Sequence, residues 1–167
     1  PDWEGAHLIW PPYVAGGIEK GVIDERQARQ IRASYGGKLT MIDKWFGKIM
    51  DELDRHDLWD DTLVILCTDH GHYLGEKDIW GKPGVPVYEP LGHIPLMIAH
   101  PAFAHKAGQR RQSLTQTTDL MPTLLDLHGL EAPATAEGHS LLPLLEQDTK
   151  LRDAALYGMF GAGTNIT

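Results

Sequence analysis

The sequence has a single cysteine, no long run of apolar residues and fewer basic than acidic residues. Because Cys67 has no second cysteine to pair with, no disulfide can form within the chain, and the cysteine content does not indicate a compartment. No segment has the roughly 18 continuous apolar residues of a membrane-spanning helix. The 15 Lys and Arg residues against 23 Asp and Glu give a formal charge of −8, which argues against nucleic acid and against an anionic membrane surface as partners. An anionic substrate would need a metal ion or a few placed cations to attract it.

A long amphipathic helix is predicted from about residue 25 to about residue 55. Asp24 and Gln27, three positions apart, form the pattern of a capping box at its start. Apolar residues then recur at steps of three and four positions, which places them along one face. We expect this stripe to be buried in the core; it consists of Ile31, Tyr35, Leu39, Ile42, Phe46, Ile49 and Leu53.

Several strands are predicted after this helix. Residues 62–67 are β-branched or apolar without alternation, as expected for a parallel strand covered on both faces. A long loop at 71–92 separates this strand from a second one at 94–99, whose Pro95 suggests a strand start or a sheet edge. Short strands are also expected at 113–117 and 154–160.

Two helices complete the predicted elements. The first covers 120–128, with Thr118 or Asp119 as its cap and Gly129 directly after its end. The second is a turn or two of helix within 140–145. Helices that alternate with strands predict an α/β fold with a layered sheet.

Residues whose side chains could bind a metal ion or an anion follow the predicted strand at 62–67. Asp69 and His70 lie just past its carboxyl end, where open α/β sheets bind their ligands. A carboxylate beside an imidazole can hold a divalent cation. Lys82 lies twelve residues beyond His70, between Gly81 and Pro83 in the long loop. Two metal ligands together with the ammonium group of a long lysine side chain suit a tetrahedral oxyanion such as sulfate or phosphate.

Each candidate also has an ordinary structural explanation. Asp69 could cap the next turn, His70 could be a hydrogen-bonded loop histidine, and Lys82 could be a solvated lysine. The strand-end position and the glycine-rich loop favour the functional interpretation for these three. His72 and Glu76 are interpreted as possible supports of the ligands or of the loop, not as ligands themselves.

Several segments, in the same order along the chain, resemble the sulfatase family, in the superfamily shared with alkaline phosphatases. Together they cover most of residues 35–145. The matching segments are Leu58–Ile65 with Thr68–Gly71, Leu74–Glu76 with Trp80–Lys82, Pro95–Ile98, Thr118–Leu125 and Gly138–Leu145.

The resemblance implies an α/β fold with a mixed, largely parallel sheet and helices on both faces, and a hydrolase of sulfate esters. In this family the nucleophile is a formylglycine made from the Cys or Ser of a Cys/Ser-x-Pro/Ala-x-Arg motif. A calcium or similar divalent ion polarises the sulfate. By resemblance, Asp69 and His70 would be metal ligands, Lys82 would contact the sulfate group, and the partner would be a small-molecule or glycan sulfate ester.

Parts of the family pattern are absent from the sequence. No Cys/Ser-x-Pro/Ala-x-Arg motif occurs, and Cys67, which lies within the predicted strand, is not the nucleophile. The family's N-terminal Asp pair, which completes the metal site, also has no counterpart. We therefore expect residues 1–167 to form one incomplete sulfatase catalytic domain, without its nucleophile-bearing part, and to be inactive alone.

His70 leaves a second activity open. Many family members have Asn at this position, whereas Asp followed by His also occurs in relatives that hydrolyse phosphonate monoesters and phosphodiesters. An imidazole ligand widens the choice of metal from calcium to manganese or zinc. Lys77 and Asp78 stand where His and Gly are frequent, so substrate preference cannot be carried over there. A third hypothesis is a non-catalytic domain that kept the fold, against which the retained Asp69, His70 and Lys82 argue.

Overall fold

The computed structural model describes residues 12–84 and 87–158. The strands are β1 (Val14–Ala15), β2 (Val64–Cys67), β3 (Tyr73–Leu74), β4 (Ile79–Gly81) and β5 (Leu96–Ala99). The helices are α1 (Glu25–Arg55), α2 (Glu89–Gly92), α3 (Leu120–Leu127) and α4 (Leu142–Glu146), and short 3₁₀ segments occur at Glu76–Asp78, Pro101–Lys106 and Thr117–Asp119. None of the described helices combines the length and the apolar character needed to cross a membrane.

The long helix α1 has the predicted bounds and the predicted cap. The Gln27 amide donates to the Asp24 carboxylate at 2.7 Å, and the Asp24 amide donates to the Gln27 side chain at 2.8 Å. The side chain of Arg32 ties the helix to β3 and β4: its Nε donates to the Leu74 carbonyl at 2.8 Å, and its guanidinium lies 5.1 Å from the Trp80 ring centroid. These contacts anchor the N-terminal part of α1.

The prediction that the whole apolar stripe of α1 is buried was wrong. Ile31 is buried, but Leu39, Ile42 and Ile49 are each 57% exposed. The main contact of α1 among the described elements is with β3, near the start of the helix. Periodicity identifies which face of a helix is apolar, but it does not say what covers that face.

The described strands form two small sheets. One has three strands in the order β1-β4-β3, and the other consists of β2 and β5. The β2–β5 pair runs from Val64 opposite Ala99 to Cys67 opposite Leu96. Pro95 directly precedes β5, which agrees with its prediction as a strand start.

The α/β class is confirmed, but the expected parallel pairing is not seen among the described strands, whose pairs are all antiparallel. The strand β2 is also less buried than predicted, since Val64 to Leu66 are half-buried and Cys67 is exposed. An unbroken apolar run is typical of buried parallel strands, but it indicates strand direction only indirectly, through burial. Here β5 is the one strand paired with β2 in the described sheet, which leaves β2 partly open to solvent.

The predicted loop at 71–92 contains a tight hairpin, so the prediction of an unstructured segment was wrong there. Tyr73 of β3 pairs with Gly81 of β4, and the turn between the strands holds Lys77 and Asp78 at φ of +53° and +54°. Strands of two and three residues are too short to show a periodic pattern in the sequence.

The Asp78 side chain links this turn to the segment that follows β1. Its carboxylate accepts from the amides of Ile18 and Glu19 at 2.9 Å and 3.0 Å, and from Trp80 Nε1 at 2.9 Å. The amides of Glu19 and Ile18 hold the pKa of this carboxyl below its ordinary value. The hairpin is therefore fixed at its turn as well as along its strands.

Two buried clusters flank the hairpin, and each contains one of its large aromatic side chains. Trp80 and Tyr73 are both fully buried. The first cluster consists of Ile23, Ala28, Ile31 and Trp80, and the second of Tyr73, Ile79 and Leu91. Because the hairpin strands belong to both clusters, packing holds the backbone that leads to Lys82 in place.

The strands expected at 113–117 and 154–160 do not form within the described residues, and 159–160 lie outside them. Side chains instead form hydrogen bonds with backbone groups of these two segments. The Ser113 amide donates to Asp148 at 3.2 Å, and the Leu156 carbonyl accepts from Gln116 Nε2 at 2.7 Å. By contrast, α3 and α4 lie where predicted.

Asp119 is at the N-cap position of α3, as predicted, but its side chain makes no capping hydrogen bond to that helix. Its buried carboxylate accepts from Arg152 Nη1 at 2.6 Å, from the Gln116 amide at 2.7 Å and from the His139 amide at 2.9 Å. Burial alone would raise the pKa of Asp119, but these hydrogen bonds and the Arg152 charge outweigh burial and lower the pKa. Asp119 thus joins three segments that are distant in sequence.

We expect Asp119→Asn to lower the free energy of unfolding by about 3–5 kcal/mol, because it leaves the Arg152 guanidinium without its buried partner. Since the pKa of Asp119 is lowered on folding, its contribution is fully present above the ordinary Asp pKa and is lost as the pH falls through the lowered value. Urea unfolding at neutral and acid pH measures both effects.

The exposed Asp153, which pairs with Lys150 at the surface, provides the control. Asp153→Asn should change the unfolding free energy by less than about 1 kcal/mol. Equal losses for the two variants would show that the Asp119–Arg152 pair is not a structural centre.

Candidate active site

The hairpin brings the sequence-predicted site residues together. Asp69 and His70 follow the end of β2, and Lys82 follows the end of β4. Since Tyr73 and Gly81 are paired, the residues just outside this pair lie at the open end of the hairpin. Lys82 therefore returns to the segment that carries His70.

Two groups converge on one nitrogen atom of His70. The Lys82 Nζ lies 3.0 Å from His70 Nε2, and the Asp69 Oδ2 lies 3.6 Å from the same atom. On the other side of the ring, Nδ1 lies 2.8 Å from the Gly71 carbonyl oxygen. The predicted proximity of Asp69, His70 and Lys82 is confirmed by these distances.

The partners of the imidazole define its tautomer. A carbonyl oxygen only accepts hydrogen bonds and an ammonium group only donates them. Nδ1 of His70 therefore carries the proton that it donates to Gly71, and Nε2 presents a lone pair to Lys82. Such a backbone bond at one ring nitrogen is what orients a histidine for metal binding through the other.

Asp69 is an exposed carboxylate held by its own neighbours. Its Oδ1 accepts from the His70 amide at 2.9 Å and from the Thr68 hydroxyl at 3.3 Å. Desolvation acts to raise the pKa of Asp69, but the amides of Asp69 and His70, the His70 ring and the Thr68 hydroxyl together lower it. The Oδ2 atom, which faces His70, is therefore part of an ionised group at neutral pH.

This donor pair fits part of a metal site. Two ligand atoms on one divalent ion lie about 3–3.6 Å apart when their bonds measure about 2.0–2.4 Å, and Asp69 Oδ2 and His70 Nε2 are 3.6 Å apart. Within residues 12–84 and 87–158, no group of three or more His, Cys, Asp or Glu side chains is placed to hold a metal ion. Asp69 and His70 are therefore two candidate ligands within the described part of the chain.

Backbone hydrogen bonds between the segment after His70 and helix α2 support His70, and the sequence did not predict them. The Gly71 amide donates to the Leu91 carbonyl at 2.8 Å, and the His72 amide donates to the Pro90 carbonyl at 3.1 Å. A Cβ atom on Gly71 would lie 2.0 Å from the Pro90 oxygen. The one visible signal was the glycine directly after His70.

His72 lies between aromatic rings, which agrees with a supporting position. It stacks on Tyr35 of α1 with ring centroids 5.9 Å apart, and Tyr13 meets it edge-on at 6.4 Å. Burial, followed by the charges of His70, Lys38 and Lys82, lowers the pKa of His72.

Glu76 and His93 each form a hydrogen bond that supports the local structure. The Glu76 carboxylate accepts from the Leu74 amide at 2.7 Å, within the hairpin, as expected of a loop-orienting residue. His93 is exposed and its Nδ1 lies 2.9 Å from Glu89 Oε2. His93 thus has a structural contact at the protein surface.

The Sulfatase family model matches residues 8–130, and the chain belongs to the sulfatase family. It is 39% identical over 125 residues to the multifunctional alkaline phosphatase superfamily protein PehA of Trinickia caryophylli. It is 34% identical over 126 residues to the choline-sulfatase of Rhizobium meliloti. The alignments cover 75% and 74% of this chain but 24% of either relative, so the chain spans about a quarter of their length.

Solved structures confirm the predicted fold class. A structure in complex with its substrate, D-glucosamine-2-N,6-O-disulfate, aligns with a TM-score of 0.74 and 28% identity, over 87% of this chain and 31% of that one. The phosphonate monoester hydrolase of Agrobacterium radiobacter aligns with a TM-score of 0.70 and 33% identity, over 78% of this chain and 26% of that one.

We expect Gly71→Ala to lower the free energy of unfolding by about 1–3 kcal/mol, because the added methyl group forces the chain away from Pro90. Gly47 is the matched control, since it lies in α1 with open space around it. Gly47→Ala should stabilise the protein by about 0.5–1 kcal/mol. Urea unfolding measures the free energy of both variants. A Gly71→Ala variant as stable as the parent protein would contradict this prediction.

Proposed function

We propose that the full-length protein containing this sequence hydrolyses sulfate esters, with Asp69 and His70 as ligands of a divalent cation and Lys82 as a contact to the sulfate. One observation carries the proposal: Asp69 Oδ2 and Lys82 Nζ lie 3.6 Å and 3.0 Å from His70 Nε2. A carboxylate, an imidazole lone pair and an ammonium group at one strand end suit a cation with an oxyanion beside it. Membership of the sulfatase family supports sulfate as that oxyanion.

The proposed ion is calcium, because Asp69 offers a carboxylate and hard cations prefer oxygen ligands. The imidazole of His70 also suits manganese or zinc. When bound, the ion would withdraw charge from the sulfuryl group as a Lewis acid. Asp69 and His70 would hold it at the end of β2, where the backbone bonds of Gly71 fix the imidazole ring.

Lys82 would supply a positive charge to sulfate oxygens that gain charge in the transition state. Its backbone is held because Gly81 is paired with Tyr73 and the hairpin is buried on both sides. The nucleophile proposed for the full-length protein, a formylglycine, would come from outside the 167 residues, since they contain no Cys/Ser-x-Pro/Ala-x-Arg motif.

The proposed substrate is a small-molecule or glycan sulfate ester. Two relatives support this class. One is named a choline-sulfatase, and one structure holds a disulfated glucosamine as its substrate. The sulfate group of such a substrate is anionic, and the chain's overall charge of −8 repels it, so local cations must provide the attraction.

A second candidate is the hydrolysis of phosphonate monoesters or phosphodiesters. It is favoured by the consecutive Asp69 and His70 and by the 33% identity to the Agrobacterium radiobacter phosphonate monoester hydrolase. The two activities would use the same metal ligands and the same lysine. Side-by-side kinetics on an aryl sulfate and an aryl phosphonate distinguish them.

We expect Asp69→Ala in the full-length protein to remove most activity, because a charged metal ligand is lost. Lys82→Ala should chiefly lower kcat, by roughly a hundred- to a thousandfold, as is typical when one preorganised contact to a developing charge is removed. Lys82→Arg should restore only part of the rate, since a planar guanidinium does not replace a compact ammonium group.

His93→Gln is the control, because His93 is exposed and bonded to Glu89; it should leave kcat and KM on both substrates close to those of the parent protein. Wild-type rates for Lys82→Ala on both the aryl sulfate and the aryl phosphonate would show that Lys82 is an ordinary surface lysine.

A further inference from the structure

The arrangement around His70 contains a conflict that the proposed function must resolve. The Nδ1 atom is committed to the Gly71 carbonyl at 2.8 Å, so the ring has a single lone pair available, at Nε2. Lys82 Nζ occupies that lone pair at 3.0 Å. A metal ion bound by His70 would need the same lone pair. The hydrogen bond from Lys82 and a metal bond to His70 therefore exclude each other.

We propose that Lys82 and the divalent cation bind His70 Nε2 in turn, so that metal binding releases the Lys82 ammonium group toward the substrate. This inference rests on the proposed function, because it takes Asp69 and His70 as the metal ligands. No covalent bond changes in the exchange. The ammonium group keeps its three protons, one hydrogen bond to nitrogen breaks, and one metal–nitrogen bond forms.

The charges around His70 suit either positive partner. Asp69 Oδ2 lies 3.6 Å from the nitrogen atom that accepts from Lys82, so a carboxylate and an ammonium group meet on one imidazole. In its contact with His70, Lys82 supplies the positive charge that a bound cation would supply. The site then holds a compensated charge in both states.

Lys82 can leave His70 without disturbing the fold. Its backbone is fixed by the β3–β4 pairing at Gly81, whereas the ammonium group sits on a flexible four-carbon stem. Its hydrogen bond to His70 joins two side-chain atoms, Lys82 Nζ and His70 Nε2. A released ammonium group therefore stays close to the site and becomes available to an oxyanion.

The exchange predicts that Lys82 weakens metal binding, because each binding event breaks a charge-assisted hydrogen bond. Removal of that competitor should tighten binding by roughly tenfold to a hundredfold. The test is calorimetric titration of the metal-stripped, full-length protein with Mn²⁺, for the parent and for Lys82→Met. Lys77→Met is the matched control, since the Lys77 ammonium group lies 4.7 Å from the Tyr88 ring centroid at the hairpin turn.

A second measurement separates the exchange from a general effect of charge. In ¹⁵N NMR spectra at fixed pH, His70 of the metal-free parent should show the Nδ1–H tautomer. Addition of Zn²⁺ should shift Nε2 and change the Lys82 Nζ signal in the same titration. A charge effect alone would tighten metal binding in Lys82→Met, and 1 M salt would screen it, without any change of the Lys82 signal in the parent.

The expected result is tighter Mn²⁺ binding by Lys82→Met and unchanged binding by Lys77→Met. In the parent protein, Zn²⁺ should alter the Lys82 signal. Unchanged or weaker binding by Lys82→Met overturns the exchange, and the proposed metal site stands if Asp69→Ala still weakens binding. Mn²⁺ binding that is insensitive to Asp69→Ala overturns the proposed site itself. Lys82→Gln serves as a second variant, and an unfolding curve for each variant shows whether a loss of Mn²⁺ binding is caused by misfolding.

Discussion

The hydrogen bond from His70 Nδ1 to the Gly71 carbonyl determines what the rest of this site can do. It fixes the proton on one side of the ring and leaves a lone pair on the other, where Asp69 and Lys82 meet. The bond in turn depends on a glycine, because the Gly71 segment passes so close to Pro90 that a side chain has no room. The short helix α2 is thus part of the support of the site, although it contributes no ligand.

The second requirement is that Lys82 returns to His70 from twelve residues away. The β3–β4 hairpin achieves this, and both of its ends are secured. Its strands carry Tyr73 and Trp80 into two buried clusters, and its turn is tied to the segment after β1 through Asp78. The fold therefore places the lysine backbone beside His70, and in the proposed exchange the ammonium group changes partners.

The sequence predicted α1 and its cap because a capping box and a regular apolar spacing are local signals. It predicted the grouping of Asp69, His70 and Lys82 through a family resemblance and a strand-end rule. It failed on the hairpin, whose strands are too short to show a period, and on the antiparallel pairing of β2, which depends on how the chain returns. It also failed on burial at Leu39 and Ile49, because covering an apolar face requires a second surface that no local pattern reveals.

The most direct test of the account is the position of a metal ion in the full-length protein. Crystals of metal-stripped protein soaked in Mn²⁺ should give an anomalous diffraction peak about 2.0–2.4 Å from both the Asp69 carboxylate and His70 Nε2. In the same crystals Lys82 Nζ should no longer lie within hydrogen-bond distance of His70. A peak that contacts neither residue, or a Lys82 that keeps its bond to Nε2 beside a bound ion, would contradict the account.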